Sequence, residues 1–242
     1  MCASIESSDE HHFDVTIYAK PRRPLRETSA WQAYSASRYA ILFYALLLTL
    51  AVMPAAPAIG LPPILIKLLL AVSLVAAVMP NATRRSRYVF FGAIITLIGA
   101  GAASDYGYLP VNSGLVLTLG GLIGLLAAAG TLRFTVQSNV VDSETLYAAL
   151  STYLLAGLFF GQIYWAIEAL APGSLVGPDP TTEATAVYYS FVTLATLGYG
   201  DFLPRTDIAR GVATFEVIGG QLFLAVMVAR LIGAFGSGSK DS

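Results

Sequence analysis

The sequence predicts an all-α membrane protein with six membrane-spanning helices and one re-entrant segment. Only 12% of the 242 residues are charged and 56% are hydrophobic, whereas a soluble domain typically carries about 25% charged residues. Three long windows, residues 39–60, 88–104 and 111–132, contain no charged residue at all. An apolar run of about 18 residues or more is long enough to cross the hydrocarbon core of a bilayer as a helix.

Six spanning helices follow from the apolar runs between the loop signals. Two stretches rich in Pro and Gly, "MPAAPAIGLPP" and "APGSLVGPDPTTE", separate the runs, as does the basic stretch "PNATRRSR". The predicted helices cover about 37–57, 61–80, 88–104, 113–131, 145–170 and 207–235. A semi-apolar segment at about 184–195 is too short to cross the bilayer.

These elements divide the chain into five parts. They are a polar, basic N-terminal segment (1–36), a four-helix domain (37–132), a linker (133–144), a two-helix unit with the re-entrant segment (145–235) and a flexible tail (236–242). The first 30 residues lack the apolar centre of a cleavable signal peptide. The single cysteine, Cys2, excludes an intrachain disulfide. We interpret His11 and His12 as a solvated pair rather than a metal site.

The basic residues predict an orientation in which both termini are cytoplasmic. In this orientation eleven of the fourteen Lys and Arg residues lie on the cytoplasmic side, and only Arg205 and Arg210 lie outside. We expect a multi-pass protein of the plasma membrane, whose basic run "KPRRPLR" can bind anionic lipid. Lys67 falls within the second helix. It either extends its ammonium to the interface, the interpretation that we favour, or is a charge partner inside the bundle.

The run "TLGYGD" at residues 196–201 follows the short re-entrant segment. Non-helical backbone at membrane depth is tolerated only where it is buried in protein or lines a wet cavity. Glycine accepts backbone angles that a side chain would forbid, so alternating glycines can direct successive carbonyl oxygens toward one axis. Such carbonyls can replace the hydration shell of a monovalent cation, and the threonine hydroxyl adds one more oxygen.

Residues 188–206, "YYSFVTLATLGYGDFLPRT", resemble the pore helix and selectivity filter of potassium channels. Thr193, Thr196 and the GYGD run match that family's signature without a gap, and the resemblance extends over about 145–235, the two-helix pore domain. It implies that potassium ions bind at Thr196, Leu197, Gly198, Tyr199 and Gly200. It places the support of the filter at Tyr188, Tyr189, Val192, Thr193 and Asp201. The resemblance also implies positions that gate or line the pore, namely Glu216, Gly219, Gly220 (the hinge glycine), Gln221, Leu224 and Val228.

One filter strand cannot surround an ion, so the resemblance and closed symmetry imply a homotetramer in the lipid bilayer. We expect no cofactor other than potassium ions, no nucleic-acid partner and no enzymatic activity. In the predicted orientation six acidic residues face outward with two arginines, so each chain carries four net negative charges there, which concentrate cations. The six are Asp105, Glu168, Asp179, Glu183, Asp201 and Asp207.

Two residues depart from the pattern of the potassium channel family, and a third is an acidic residue within a predicted spanning helix. Val192 stands where some bacterial members have a glutamate. Because valine carries no carboxyl group, an acid pair with Asp201 is impossible. Leu197 replaces the commoner Val or Ile, and we expect its carbonyl to face the ions. Glu216 leaves two alternatives open, because an unpaired carboxylate in the bilayer is costly. It either lies near the cavity or behind the filter, where it holds cations or senses pH, or it forms a buried hydrogen bond to Tyr189, Ser190 or Thr193.

The four leading helices give the layout of a voltage-gated channel without the basic residues that form its voltage sensor. The fourth predicted helix carries no basic residue before Arg133, and its Gly- and Ala-rich face suits close helix packing instead. We therefore expect a potassium-selective channel that is not steeply voltage-gated. A weakly selective cation channel, a non-conducting regulatory membrane subunit and a component of an ion-coupled transporter remain as alternatives.

Overall fold

The computed structural model describes residues 29–56, 58–78, 92, 95–96, 99, 113–138 and 142–238, and these are mostly helical. The helices are α1 (Ser29–Ala55), α2 (Pro63–Val78), α3 (Ser113–Gln137), α4 (Ser143–Leu170), α5 (Glu183–Leu194) and α6 (Asp207–Gly238), and the strands are β1 (Leu175–Val176) and β2 (Leu203–Pro204). The basic N-terminal run, the histidine pair and most of the predicted helix at 88–104 lie outside the described residues.

Four of the described helices are long and apolar enough to span a membrane, over Ser37–Ala55, Gly114–Gln137, Ser143–Leu170 and Asp207–Gly233. Helix α2 has 16 residues and is therefore about 24 Å long, which is less than the roughly 30 Å hydrocarbon core. Helix α5 has 12 residues, or about 18 Å, and cannot cross. The six-helix count therefore stays a prediction.

Several helices extend beyond their predicted ends. Helix α1 begins at Ser29 and is kinked at Ser37, whose φ is −131° and ψ is 16°. Helix α3 continues through Arg133 to Gln137, so that the connection to α4 is shorter than the predicted linker 133–144. The reason is that a charged residue ends an apolar run without ending a helix, and no Gly or Pro stands between Thr131 and Gln137 to stop it.

Helix α4 is the centre of the described fold, because it contacts α1, α3, α5 and α6. The contact with α3 is close because glycines face it. A Cβ atom at Gly121 would lie 2.7 Å from the Ile163 side chain, and one at Gly124 would lie within the ring of Phe159. Small residues of this kind let two helix backbones approach closely. The predicted packing role of the glycine-rich face thus has a physical basis in the structure.

Two buried apolar clusters hold these helices together. The first lies among α1, α3, α4 and α5 and contains Tyr39, Leu42, Leu46, Met53, Ala127, Ala128, Ala148, Leu155, Leu158, Phe159 and Val187. The second lies where α4 ends and contains Phe160, Tyr164, Leu175, Ala186, Tyr189 and Phe202. We call this end, which includes β1 and β2, the filter end. The opposite end, around Ser138 and Asp142, is the linker end.

Candidate functional site

Helix α5 begins with a capping box that the sequence analysis did not identify. The side chain of Thr182 accepts a hydrogen bond from the backbone N–H of Thr185, and the side chain of Thr185 accepts one from the backbone N–H of Thr182. These bonds satisfy backbone donors that a helix start otherwise leaves unpaired. The helix ends at Leu194, so the TLGYGD run starts directly after its last turn.

Residues 196–200, which we call the 196–200 strand although they belong to neither β1 nor β2, alternate in backbone conformation. Thr196 and Gly198 both have φ of 58°, and Gly200 has φ of 79°. Alternation of left-handed and ordinary residues is the pattern that lets successive carbonyls point to one side of a strand. Thr196 is the one non-glycine residue among the described residues with positive φ, a conformation that costs an L-residue about 1–2 kcal/mol. Nothing in the sequence marks Thr196 for this conformation, and sequence reasoning missed it.

Helix α5 fixes one end of this strand through backbone hydrogen bonds. The N–H of Leu197 donates to the carbonyl of Val192 at 2.9 Å, and the N–H of Thr196 donates to the carbonyl of Thr193 at 2.9 Å. Val192 itself is buried. Val192 and Thr193, which are predicted to support the run, thus contact it through their main chains.

The far end of the strand is tied to α5 by the carboxylate of Asp201. The hydroxyl of Tyr188 donates to Asp201 Oδ2 at 2.7 Å, and the backbone N–H of Phe202 donates to Oδ1 at 3.0 Å. Tyr189 points elsewhere, because its buried ring packs edge-on against Tyr164 with the centroids 4.8 Å apart. The two tyrosines predicted to support the filter thus have different neighbours within a single chain.

A second brace, which sequence reasoning missed, lies at the filter end. Strands β1 and β2 pair antiparallel, with Leu175 opposite Pro204, and the N–H of Arg205 donates to the carbonyl of Ser174 at 2.8 Å. The carboxylate of Glu168 in turn accepts from the backbone N–H groups of Gly173 and Leu175. The loop after α4 therefore holds the segment that follows the strand.

The profile of a family described as "Ion channel" matches residues 148–236, which contain α5, the 196–200 strand and the helix on either side. Over these residues the chain is similar to the ion channel family. The chain is also 42% identical, over 54 residues, to a protein of Rhodopseudomonas palustris that carries the provisional name potassium channel protein. That alignment covers 22% of this chain and 13% of the relative. No solved structure matches the chain. The resemblance to potassium channels that the sequence predicts is confirmed by the two matches.

Within this channel domain the carboxyl group of Glu216 is fully buried. The Tyr164 hydroxyl of α4 donates to Glu216 Oε2 at 2.7 Å, and the Ser190 hydroxyl of α5 donates to Oε1 at 2.5 Å. Ser190 is one of the three partners that the structural alternative named. Tyr164 was not foreseen, because it lies 52 residues away in the sequence.

The other positions predicted for gating follow Glu216 along α6. Gly220 packs against the end of α5, and a Cβ atom there would lie 2.7 Å from the carbonyl oxygen of Leu194. Gln221 lies beside the 196–200 strand, with its Nε2 3.5 Å from the hydroxyl oxygen of Thr196. The remaining positions are exposed in the single chain, namely Gly219, Leu224 and Val228.

At the linker end, α6 contacts α3. The guanidinium of Arg230 donates to the backbone carbonyls of Thr135 and Ser138. Nearby, Asp142 caps α4 and accepts from the backbone N–H and the hydroxyl of Thr145, and these two bonds lower the pKa of Asp142. The side chain of Lys67 lies outside the described part of the structure, so both alternatives for it stay open.

Proposed function

We propose that the chain is one subunit of a homotetrameric channel that conducts potassium ions passively across the membrane. The observation that carries the proposal is the alternation of φ along residues 196–200, with positive values at Thr196, Gly198 and Gly200. A strand of this form can present a column of backbone carbonyls and the Thr196 hydroxyl to an ion. Potassium is the cation whose hydration shell such carbonyl rings replace.

The exposure of apolar groups in a single chain supports the tetramer. The side chains of Leu197 and Tyr199 are 57% and 66% exposed, although each lies on the proposed filter. Helix α6 also exposes apolar side chains along much of its length, namely Phe215, Ile218, Leu222, Leu224, Val226, Val228 and Ile232. A neighbouring subunit on either side of the filter would cover part of these groups, with Leu224 and Val228 facing the pore, and closed four-fold symmetry would complete the ring around an ion.

A groove of about 610 Å³ is lined by the proposed filter strand (residues 196–200) and by α6. Gly198 and Gly200 form one wall, and Thr214, Val217 and Ile218 form the other. We assign this groove to contact with the adjacent subunit, because a filter strand with open space behind it would not hold its carbonyls in place. Asp201 directly follows Gly200 in the sequence, and its charge attracts cations in the proposed outward orientation.

Flux from proteoliposomes tests the proposal. The purified chain, reconstituted into vesicles loaded with potassium, is expected to release K⁺ down its gradient without an added ion or nucleotide. Vesicles loaded with sodium are expected to retain Na⁺. The Gly198→Ala variant, reconstituted at the same density, is the matched control for leakage.

Each alternative function predicts a different result in this assay. Release of K⁺ and Na⁺ at similar rates would indicate a weakly selective cation channel. Absence of flux at every potential would favour a non-conducting regulatory subunit. A flux that requires the gradient of a second ion would indicate part of an ion-coupled transporter. Each of these three results contradicts the proposal.

A further inference from the structure

Glu216 lies where three helices meet, and its carboxyl group is not exposed at all. Its two oxygens accept from Tyr164 of α4 and Ser190 of α5, so the side chain of one α6 residue links all three helices of the channel domain. A buried carboxyl group without hydrogen bonds would be strongly unfavourable. These two contacts therefore fix where α5 lies relative to α4 and α6.

Ser190 is close in sequence to the residues that hold the filter strand. Two residues further along α5, the carbonyl of Val192 accepts from the N–H of Leu197 at 2.9 Å. The carbonyl of Thr193 accepts from the N–H of Thr196. Since α5 is a rigid helix over this short distance, a shift of Ser190 moves Val192 and Thr193 with it. The position of the filter strand thus depends on the bond between Ser190 and Glu216.

We propose that Glu216 is a positioning residue for the selectivity filter, acting through Ser190 and Tyr164 rather than by contact with ions. The inference rests on the proposed function, because it assigns a role in the selectivity of that filter. The neighbours of Glu216 on α6 support it. Phe215 and Ile218 are 70% and 54% exposed in the single chain, whereas Glu216 points into the interior between α4 and α5.

The glutamine variant separates positioning from charge. In Glu216→Gln the amide oxygen can accept from Tyr164 while the NH₂ group donates to Ser190. The Ser190 hydroxyl lies 2.7 Å from the carbonyl of Gly157, so it can then donate there. All three helices stay connected although the carboxyl group is lost. A positioning role therefore predicts that Gln replaces Glu, and a role as a fixed charge near the pore predicts that it does not.

The test is the K⁺/Na⁺ permeability ratio of single channels in planar bilayers. We expect Glu216→Gln to keep the wild-type ratio within about twofold. Glu216→Ala removes both bonds of the link, whereas Ser190→Ala and Tyr164→Phe remove one bond each. We expect the ratio to fall by about tenfold in Glu216→Ala and Ser190→Ala and by less in Tyr164→Phe.

Two substitutions serve as matched controls. Tyr153→Phe removes a tyrosine hydroxyl from the same helix as Tyr164, on a ring that packs near Phe191 and Phe223. Ser151→Ala removes a buried serine hydroxyl that bonds to the carbonyl of Tyr39 instead of to the channel domain. Both are expected to keep the wild-type ratio.

Two results would overturn the inference while leaving the proposed function intact. In the first, Ser190→Ala and Tyr164→Phe keep the ratio as well as the controls do; these two variants decide the matter if Glu216→Ala does not assemble. In the second, Glu216→Gln lowers K⁺ conductance while Ser190→Ala and Tyr164→Phe keep the wild-type permeability ratio. That is the result expected if Glu216 acts as a fixed charge near the pore. A wild-type ratio near one would instead overturn the proposed function, and the inference with it.

Discussion

The guanidinium of Arg230, near the end of α6, donates to the backbone carbonyl of Thr135 in the last turn of α3. A second donor of the same side chain reaches the carbonyl of Ser138. Carbonyls at a helix C-terminus have no partner within the helix, and a cation there also interacts favourably with the helix dipole. The contact therefore ties the helix that follows the filter to the helix bundle that precedes the channel domain.

Replacement of Arg230 should loosen this tie. We expect Arg230→Ala to lower the free energy of unfolding by about 1.5–3 kcal/mol, the range for hydrogen bonds that involve a charged group. Thermal unfolding in detergent measures the change. Arg133→Ala is the matched control, because Arg133 lies on the same turn of α3 as Thr135 and its side chain is exposed. Equal stability of the two variants would contradict the assignment.

Gly198 and Gly200 are expected to be indispensable for conduction. Both have positive φ, and an alanine in that conformation is strained by about 1–2 kcal/mol. Space is not the obstacle within one chain, since nothing lies within 4 Å of a Cβ atom at either position. We predict that Gly198→Ala and Gly200→Ala abolish K⁺ flux, while cross-linking still detects the tetramer.

The control for these two variants is Gly211→Ala. Gly211 also has open space around a Cβ atom, but it lies within α6, where alanine is favoured over glycine by about 0.5–1 kcal/mol. Its flux should equal that of the wild type. Normal selectivity in Gly198→Ala or Gly200→Ala would show that the filter is assigned to the wrong residues.

The packing of α3 on α4 gives a prediction about stability alone. Gly124→Ala places a methyl group within the ring of Phe159, and overpacking of this kind costs about 1–3 kcal/mol. Gly120→Ala is the matched control one turn away, since nothing lies within 4 Å of a Cβ atom there. Thermal unfolding should give a lower melting temperature for Gly124→Ala than for Gly120→Ala. Equal melting temperatures would be inconsistent with the close contact.

Several features of the region around α5 can be predicted from the sequence because their signals are local. The half-length of α5, the glycines of the TLGYGD run and the loop after α4 are all visible as residue types at fixed spacing. Helix α3 extends past Arg133 because the sequence contains no breaker there, and only hydropathy suggested an end. These features depend on neighbours along the chain, so single-sequence reasoning can find them.

The contacts that sequence reasoning missed join distant parts of the chain. Tyr164 and Glu216 are 52 residues apart, and Arg230 and Thr135 are 95 apart. The pairing of β1 with β2 involves only two residues in each strand, too few to leave a periodic pattern. The positive φ of Thr196 occurs beside local hydrogen bonds to Val192 and Thr193, and its residue type does not indicate it. The long-range contacts follow from tertiary packing alone.

Voltage should affect this channel only weakly. Moving one elementary charge through the whole field is worth about 2.3 kcal/mol per 100 mV, and steep gating uses roughly three to four charges per subunit. Helix α3 carries no charged residue before Arg133, and its glycines pack closely on α4. We predict a shallow change in open probability between about −100 and +100 mV. A gating charge of about a dozen per tetramer would contradict this.

The central claim is that residues 196–200 select potassium, and the reversal potential under bi-ionic conditions tests it most directly. With K⁺ on one side of a planar bilayer and Na⁺ on the other, each tenfold preference shifts the potential by about 60 mV, since tenfold is about 1.4 kcal/mol and 100 mV is about 2.3 kcal/mol. We predict a shift of about 100 mV or more toward the potassium equilibrium potential. A reversal potential near zero would contradict the claim.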